Sequence, residues 1–222
     1  MKYELMIRSI PTAEIGIPET HARIVSAMNS ISPPWGFGGC GGPPAPNCGR
    51  ELLAESRLSK HLGPGVRGSI VYSFRAGLRD AGMSDDFMKI EFNPTRQDYQ
   101  ALVQEVFPEY IHAFSPYSAF VGDADWGLAD WPEEKKCVTN SRYGIYRIYP
   151  VHFLGNVLCQ RTFQKMPGDL VTVLSRDCEH VELMGEGALI IQTSRIVGKA
   201  EADAINELLW NRLGRQRPGS AS

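Results

Sequence analysis

Between Asp123 and Glu134 the chain places five carboxylates and two of its four tryptophans within twelve residues, with no cation among them. Aromatic anchors inside an acidic rim suit a surface that grips a basic partner. The candidate partner-binding residues are therefore Asp123, Asp125, Trp126, Asp130, Trp131, Glu133 and Glu134. A second chemistry competes for the same residues. Asp123-x-Asp125 follows an expected strand, and two carboxylates at a strand end can hold a divalent cation beside phosphates. That would make a metal-dependent transferase or hydrolase. However, no Lys- or Gly-rich phosphate loop accompanies the pair, and Asp130, Glu133 and Glu134 carry the charge beyond what one metal needs. The residues favour a protein-binding surface, with a plain solvated turn as the bland alternative.

Other motifs are weaker. Gly36-Phe37-Gly38-Gly39-Cys40-Gly41 matches GxGxxG literally. The dinucleotide fingerprint needs a strand before it and a helix after it. Pro33-Pro34 and Pro43-Pro44 deny both, so a flexible loop is expected, with Trp35 and Phe37 available to a partner. The histidines His21, His61, His112, His152 and His180 show no HxH or HExxH spacing. His21 and His112 fall on or beside apolar helix faces and read as core residues. GxSxG is absent. Tyr143, Tyr146 and Tyr149 with Arg142 and Arg147 read as a half-exposed strand. Glu51, Glu55 and Lys60 read as a solvated helix face. No nucleophile, metal ligand set or cofactor site stands out, so the expectation is a protein that is not an enzyme.

Composition narrows the partner. The chain has 222 residues, 43% hydrophobic and 22% charged, enough for a sizeable core. Its formal net charge is −2; setting aside Arg212, Arg215 and Arg217 of the 23 cations leaves 20 against 25 acids. A mildly acidic body suits a basic protein better than nucleic acid or a membrane surface. Charges at Lys2, Glu4 and Arg8 break any signal-peptide core, and no apolar run nears the roughly 20 residues of a membrane span. The odd cysteine count (Cys40, Cys48, Cys137, Cys159, Cys178), without a CxxC pair, points to reduced thiols in a cytoplasmic protein.

The elements that must position these residues read as α+β. Strands are expected at 3–10, 69–74, 87–92 and 117–121, and helices at 18–31 and 99–114. Thr95 with Asp98 resembles a capping box, and Pro108 should kink or split the second helix. Residues 1–122 thus form a ferredoxin-like β-α-β-β-α-β half, with a Gly/Pro-rich mobile loop at 32–46. Residues 123–214 form a similar second half. Its strands are expected at 145–153, 170–174, 181–184 and 188–193, with helices at 157–165 and 199–213. Pro150 should mark an edge or bulge. Ala202, Ile205, Leu209 and Leu213 face inward on the last helix, Gly214 ends it, and 215–222 reads as a disordered tail. The sheets are expected to be mixed or antiparallel, with helices on one face.

The second half also resembles the Immunity protein 52 family of bacterial polymorphic-toxin systems. The similarity lies in Tyr149-Pro150-Val151-His152-Phe153-Leu154, Gly168-Asp169-Leu170-Val171 and Gly187-Ala188-Leu189-Ile190-Ile191-Gln192, followed by the Ala-rich terminal helix. It would span most of residues 1–214; the loop at 32–46 departs from it. The resemblance implies a cytosolic α+β protein that neutralises one cognate toxin. That toxin would be a nuclease of restriction-endonuclease fold, delivered by type VI secretion. Its basic cleft would meet the acidic segment, or be blocked from beside the active site. The protein would act as a monomer or weak homodimer, without a cofactor.

Overall fold

The computed structural model describes residues 1–46 and 53–219. Its contacts divide the chain into two compact units, Met1–Pro116 and Tyr117–Ser222.

The first unit contains β1 (Tyr3–Ser9), α1 (Ile17–Ser30), β2 (Leu53–Arg57), β3 (Val66–Ser73) and β4 (Asp86–Phe92). Its sheet order is β2-β3-β4-β1, antiparallel at each pairing. β1 and β3 therefore run parallel with β4 between them, the split β-α-β arrangement. Period-2 alternation decides the two faces. Tyr3, Leu5 and Ile7 are buried opposite Phe92, Ile90 and Met88. On the other face Lys89 bridges Glu4 and Glu91 at 2.9 and 3.1 Å. The core face is closed by helix: α1 packs on α3 (Phe107–Phe114), and α3 on β1.

The expected second helix is continuous but not uniform. It runs from α2 (Tyr99–Ala101) through a π-turn at Leu102–Val106 into α3. Pro108 lacks an N–H and sits in the first turn of α3, so the wide turn just before it absorbs the missing hydrogen bond. The cap is Asp98, whose carboxylate accepts the Ala101 N–H at 2.9 Å; Thr95 instead bonds Asn93.

The glycine-proline segment 32–46 is not the expected mobile flap. Trp35 and Phe37 are buried, so neither is available to a partner. The Phe37 N–H reaches the Met28 carbonyl at 2.8 Å, and the Gly38 N–H reaches Ile31 at 2.9 Å. The Tyr110 hydroxyl donates to the Trp35 carbonyl. Gly36 is required by closeness rather than by a phosphate: a Cβ there would lie 2.2 Å from the Ile31 carbonyl oxygen. His21 joins this core, bonded to the Tyr72 hydroxyl (2.8 Å) and the Pro43 carbonyl (2.9 Å), whereas His112 is exposed. Glu55 lies on strand β2 rather than on a helix face, Lys60 follows that strand in a turn, and Glu51 and Cys48 fall outside the described residues.

The second unit contains β5 (Ser118–Asp123), α4 (Ala124–Cys137), β6 (Val151–Gly155), α5 (Asn156–Leu158), α6 (Pro167–Leu174), β7 (His180–Met184), β8 (Gly187–Ile191) and α7 (Lys199–Arg212). A π-turn at Cys159–Phe163 continues α5. The sheet order is β5-β6-β8-β7, again antiparallel. β6 and β7 run parallel around β8, as β1 and β3 do around β4. Both units are thus α+β.

Two expectations fail here for physical reasons, and one segment without an expected element proves helical. Leu170–Leu174 is helical: Pro167 opens α6, and the Asp169 carboxylate accepts the Met166 N–H at 2.9 Å, capping it. The expected strand from 145 begins only after Pro150. Arg142, Tyr146, Arg147 and Tyr149 are buried in irregular chain, leaving Tyr143 as the exposed member. The acidic segment is itself a helix, α4, with Pro132 inside it.

α7 ends as expected. The Gly214 N–H bonds Asn211 at 3.0 Å and the Arg215 N–H bonds Trp210 at 3.1 Å, with Gly214 at φ +72°. The described part of the tail is held rather than loose: the Arg217 guanidinium lies 4.2 Å over the Tyr146 ring. Among the described residues no helix is long and apolar enough to cross a membrane.

Candidate functional site

Helix α4 carries the acidic-segment residues after Asp123, and its periodicity sorts them. The Asp123 carboxylate accepts the Asp125 N–H at 3.0 Å, so it is the N-cap. Trp126 and Asp130 stand four residues apart and share the inward face. Trp126 stacks near Tyr149, whose ring lies 3.9 Å from that of Phe120.

Asp130 is 8% exposed and accepts the Arg147 Nε–H at 2.5 Å. Arg147 also donates to Asp203 of α7 at 2.7 Å, and Lys199 donates to the other Asp203 oxygen at 2.7 Å. Burial disfavours the Arg147 charge, but bonds to Asp130 and Asp203 outweigh it and raise its pKa. Burial likewise works against the Asp203 carboxylate, yet Lys199 and Arg147 hold its pKa below the usual range. The ion pair fixes the inner face of α4 to the body of its unit.

The outer side of α4 is different. Leu128 is 74% exposed and Trp131 59%, three residues apart. Asp125, three residues before Leu128, and Lys135, four after Trp131, are exposed on this side; Glu133 is exposed roughly 160° further round the helix, paired to Lys136 at 2.6 Å, and Glu134 is half-buried. Of the seven sequence candidates, Asp125, Trp131 and Glu133 thus reach solvent. Trp126 and Asp130 do not, and Asp123 is engaged as a cap. Sequence reasoning missed Leu128, which helical spacing from Trp131 would have found. It also missed the Arg147–Asp203 anchor, for which the chain carries no local signal.

The Asp-x-Asp pair is not arranged around a common point: one carboxylate caps the helix on which the other is exposed. Among the described residues no group of three or more His, Cys, Asp or Glu could hold a metal ion. Of the remaining titratable groups in this unit, burial holds the His152 imidazole down to about 3 and pushes the Cys159 and Cys178 thiols up to about 12. Such thiols are poor nucleophiles at neutral pH.

No family model matches the chain, and no curated protein sequence does. Among solved structures it is similar to the Pseudomonas aeruginosa T6SS protein PA0821, T6SS being the type VI secretion system. The TM-score is 0.58 at 13% identity, covering 99% of this chain and 76% of that one. At that identity the likeness is one of fold.

Proposed function

We propose that this protein is an immunity protein that binds and neutralises a cognate nuclease toxin delivered by type VI secretion, without turnover of its own. The observation that carries this reading is the outward side of α4. A tryptophan and a leucine are held in water on a helix whose inner face is fastened by a buried ion pair. Large apolar side chains on a preorganised element suit a protein partner, and Asp125 beside Leu128 offers a carboxylate to a basic group on it. The fold of a T6SS protein and the resemblance of the second half to Immunity protein 52 support the same class. The partner engages Leu128 and Trp131 centrally; Trp126 and Asp130 act beneath them as positioning residues.

The test is protection. Cells expressing the cognate nuclease toxin should survive when the chain is co-expressed. The double variant Leu128→Asp/Trp131→Ala should protect poorly while accumulating normally. Full protection by that variant would remove α4 from the account, and failure of the unaltered chain to protect would remove the immunity reading itself.

A further inference from the structure

The first unit holds a cavity of about 180 Å³ that the proposed function does not use. Its walls come from the end of β1 and the following loop (Ser9, Ile10, Pro11, Thr12, Ile15), from α1 (Thr20, Arg23, Ile24) and from the end of α3 (Phe114, Ser115). The floor is the Arg75–Asp86 pair.

The cavity is rigidly built. The Arg75 guanidinium forks onto Asp86 at 2.8 and 2.7 Å, and Asp86 also accepts the Ser73 N–H at 2.9 Å. The Arg75 Nε–H donates to the Ile15 carbonyl at 2.9 Å, and Nη2 reaches the Thr20 hydroxyl at 3.4 Å. One side chain therefore ties the loop wall, the helix wall and the floor together. Ser9 donates to the Phe114 carbonyl at 2.9 Å and closes the far side.

Charge then selects the ligand. Asp86 neutralises Arg75, whereas Arg23 at the rim has no ion-pair partner among the described residues. The lining carries a net positive charge, and Thr20 accepts from Arg75, leaving its own O–H to donate. Ile10, Pro11, Ile15, Ile24 and Phe114 supply apolar wall. The volume lies below the roughly 300–1,000 Å³ of drug-sized pockets and suits a fragment. We propose that this cavity binds a carboxylate on a short branched apolar stem, with the carboxylate at Arg23 and Thr20 and the stem against Ile15, Ile24 and Phe114. A free small acid and the C-terminal carboxylate of a peptide ending in valine or leucine present this same chemistry.

Amide chemical shifts of the full chain would be followed during titration with isovalerate, with uncharged isovaleramide, and with an N-acetylated peptide ending in valine. Isovalerate should shift the amides of Thr12, Thr20, Arg23 and Ser115 saturably, and isovaleramide should not. Saturation by the peptide alone would assign the carboxylate to a chain terminus. Arg23→Gln, at an exposed side chain, should weaken binding by roughly tenfold. Ile15→Trp, filling the mouth, should abolish it. Absence of saturation by both carboxylates, equal binding of the amide, or affinity unchanged by both variants would overturn the proposal. None of these outcomes bears on toxin binding through α4.

Discussion

Asp130 and His152 show how burial changes what a titratable residue does. Asp130 belongs to the acidic segment, yet its carboxylate is spent on Arg147 inside the unit. Asp130→Ala leaves that buried guanidinium with Asp203 alone and should cost about 3 kcal/mol in a urea melt, the range for breaking one side of a buried pair. A loss below about 0.5 kcal/mol, typical of an exposed charge, would contradict this placement. Charge reversal at Asp130 is consequently a test of folding and not of docking; Asp125 is the carboxylate to reverse for binding. His152 accepts the Tyr149 N–H at Nδ1 (3.2 Å), which places its proton on Nε2, facing Ser118. Burial holds its pKa near 3 against an ordinary 6.5. The unfolded chain therefore takes up a proton below pH 6.5 that the folded chain refuses, so stability falls as pH falls toward 3. Between pH 6.5 and 5 this amounts to roughly 2 kcal/mol. His152→Gln should flatten that part of the stability profile; an unchanged slope would assign it to other groups.

At the scale of elements, helix α4 explains both what was legible in the sequence and what was not. The strands of the first unit were readable because Tyr3, Leu5 and Ile7 alternate with Glu4, Met6 and Arg8, two of them charged, and α7 because Ala202, Ile205 and Leu209 recur at helical spacing. The acidic segment hid its helix because Pro132 sits in its interior and its apolar residues face both ways. Trp126 and Trp131 are alike in sequence; the helical turn between them sends one into the core and the other to solvent. Leu170–Leu174 read as a strand because a five-residue apolar run fits either period, and the deciding signals, Pro167 and Asp169, lie outside it. Arg147 was invisible as the partner of Asp130 because its contacts arise from tertiary packing, 17 residues from Asp130 and 56 from Asp203. Pro132 also yields a prediction. It cannot donate to the Leu128 carbonyl one turn earlier, so Pro132→Ala should restore that bond and stabilise the protein by about 1–3 kcal/mol in a urea melt. A destabilised variant would show that the chain at Pro132 departs from helix.

For the whole molecule, the proposed binding role draws on a fold shared with one T6SS protein, a mildly acidic body and one helix with an apolar outer side. Two split β-α-β units supply the scaffold, and the exposed side of α4 is the proposed docking surface. If that side is the interface, its two exposed apolar residues should dominate affinity while contributing little to stability. The most direct measurement is calorimetric titration of the purified chain with the cognate nuclease toxin that the proposed function requires. The comparison is between the unaltered protein and Leu128→Ala/Trp131→Ala, each checked for an unchanged melting temperature. The account predicts one saturable binding event, weakened at least roughly a hundredfold in the double variant. Equal affinity of the two proteins, at equal stability, would contradict it.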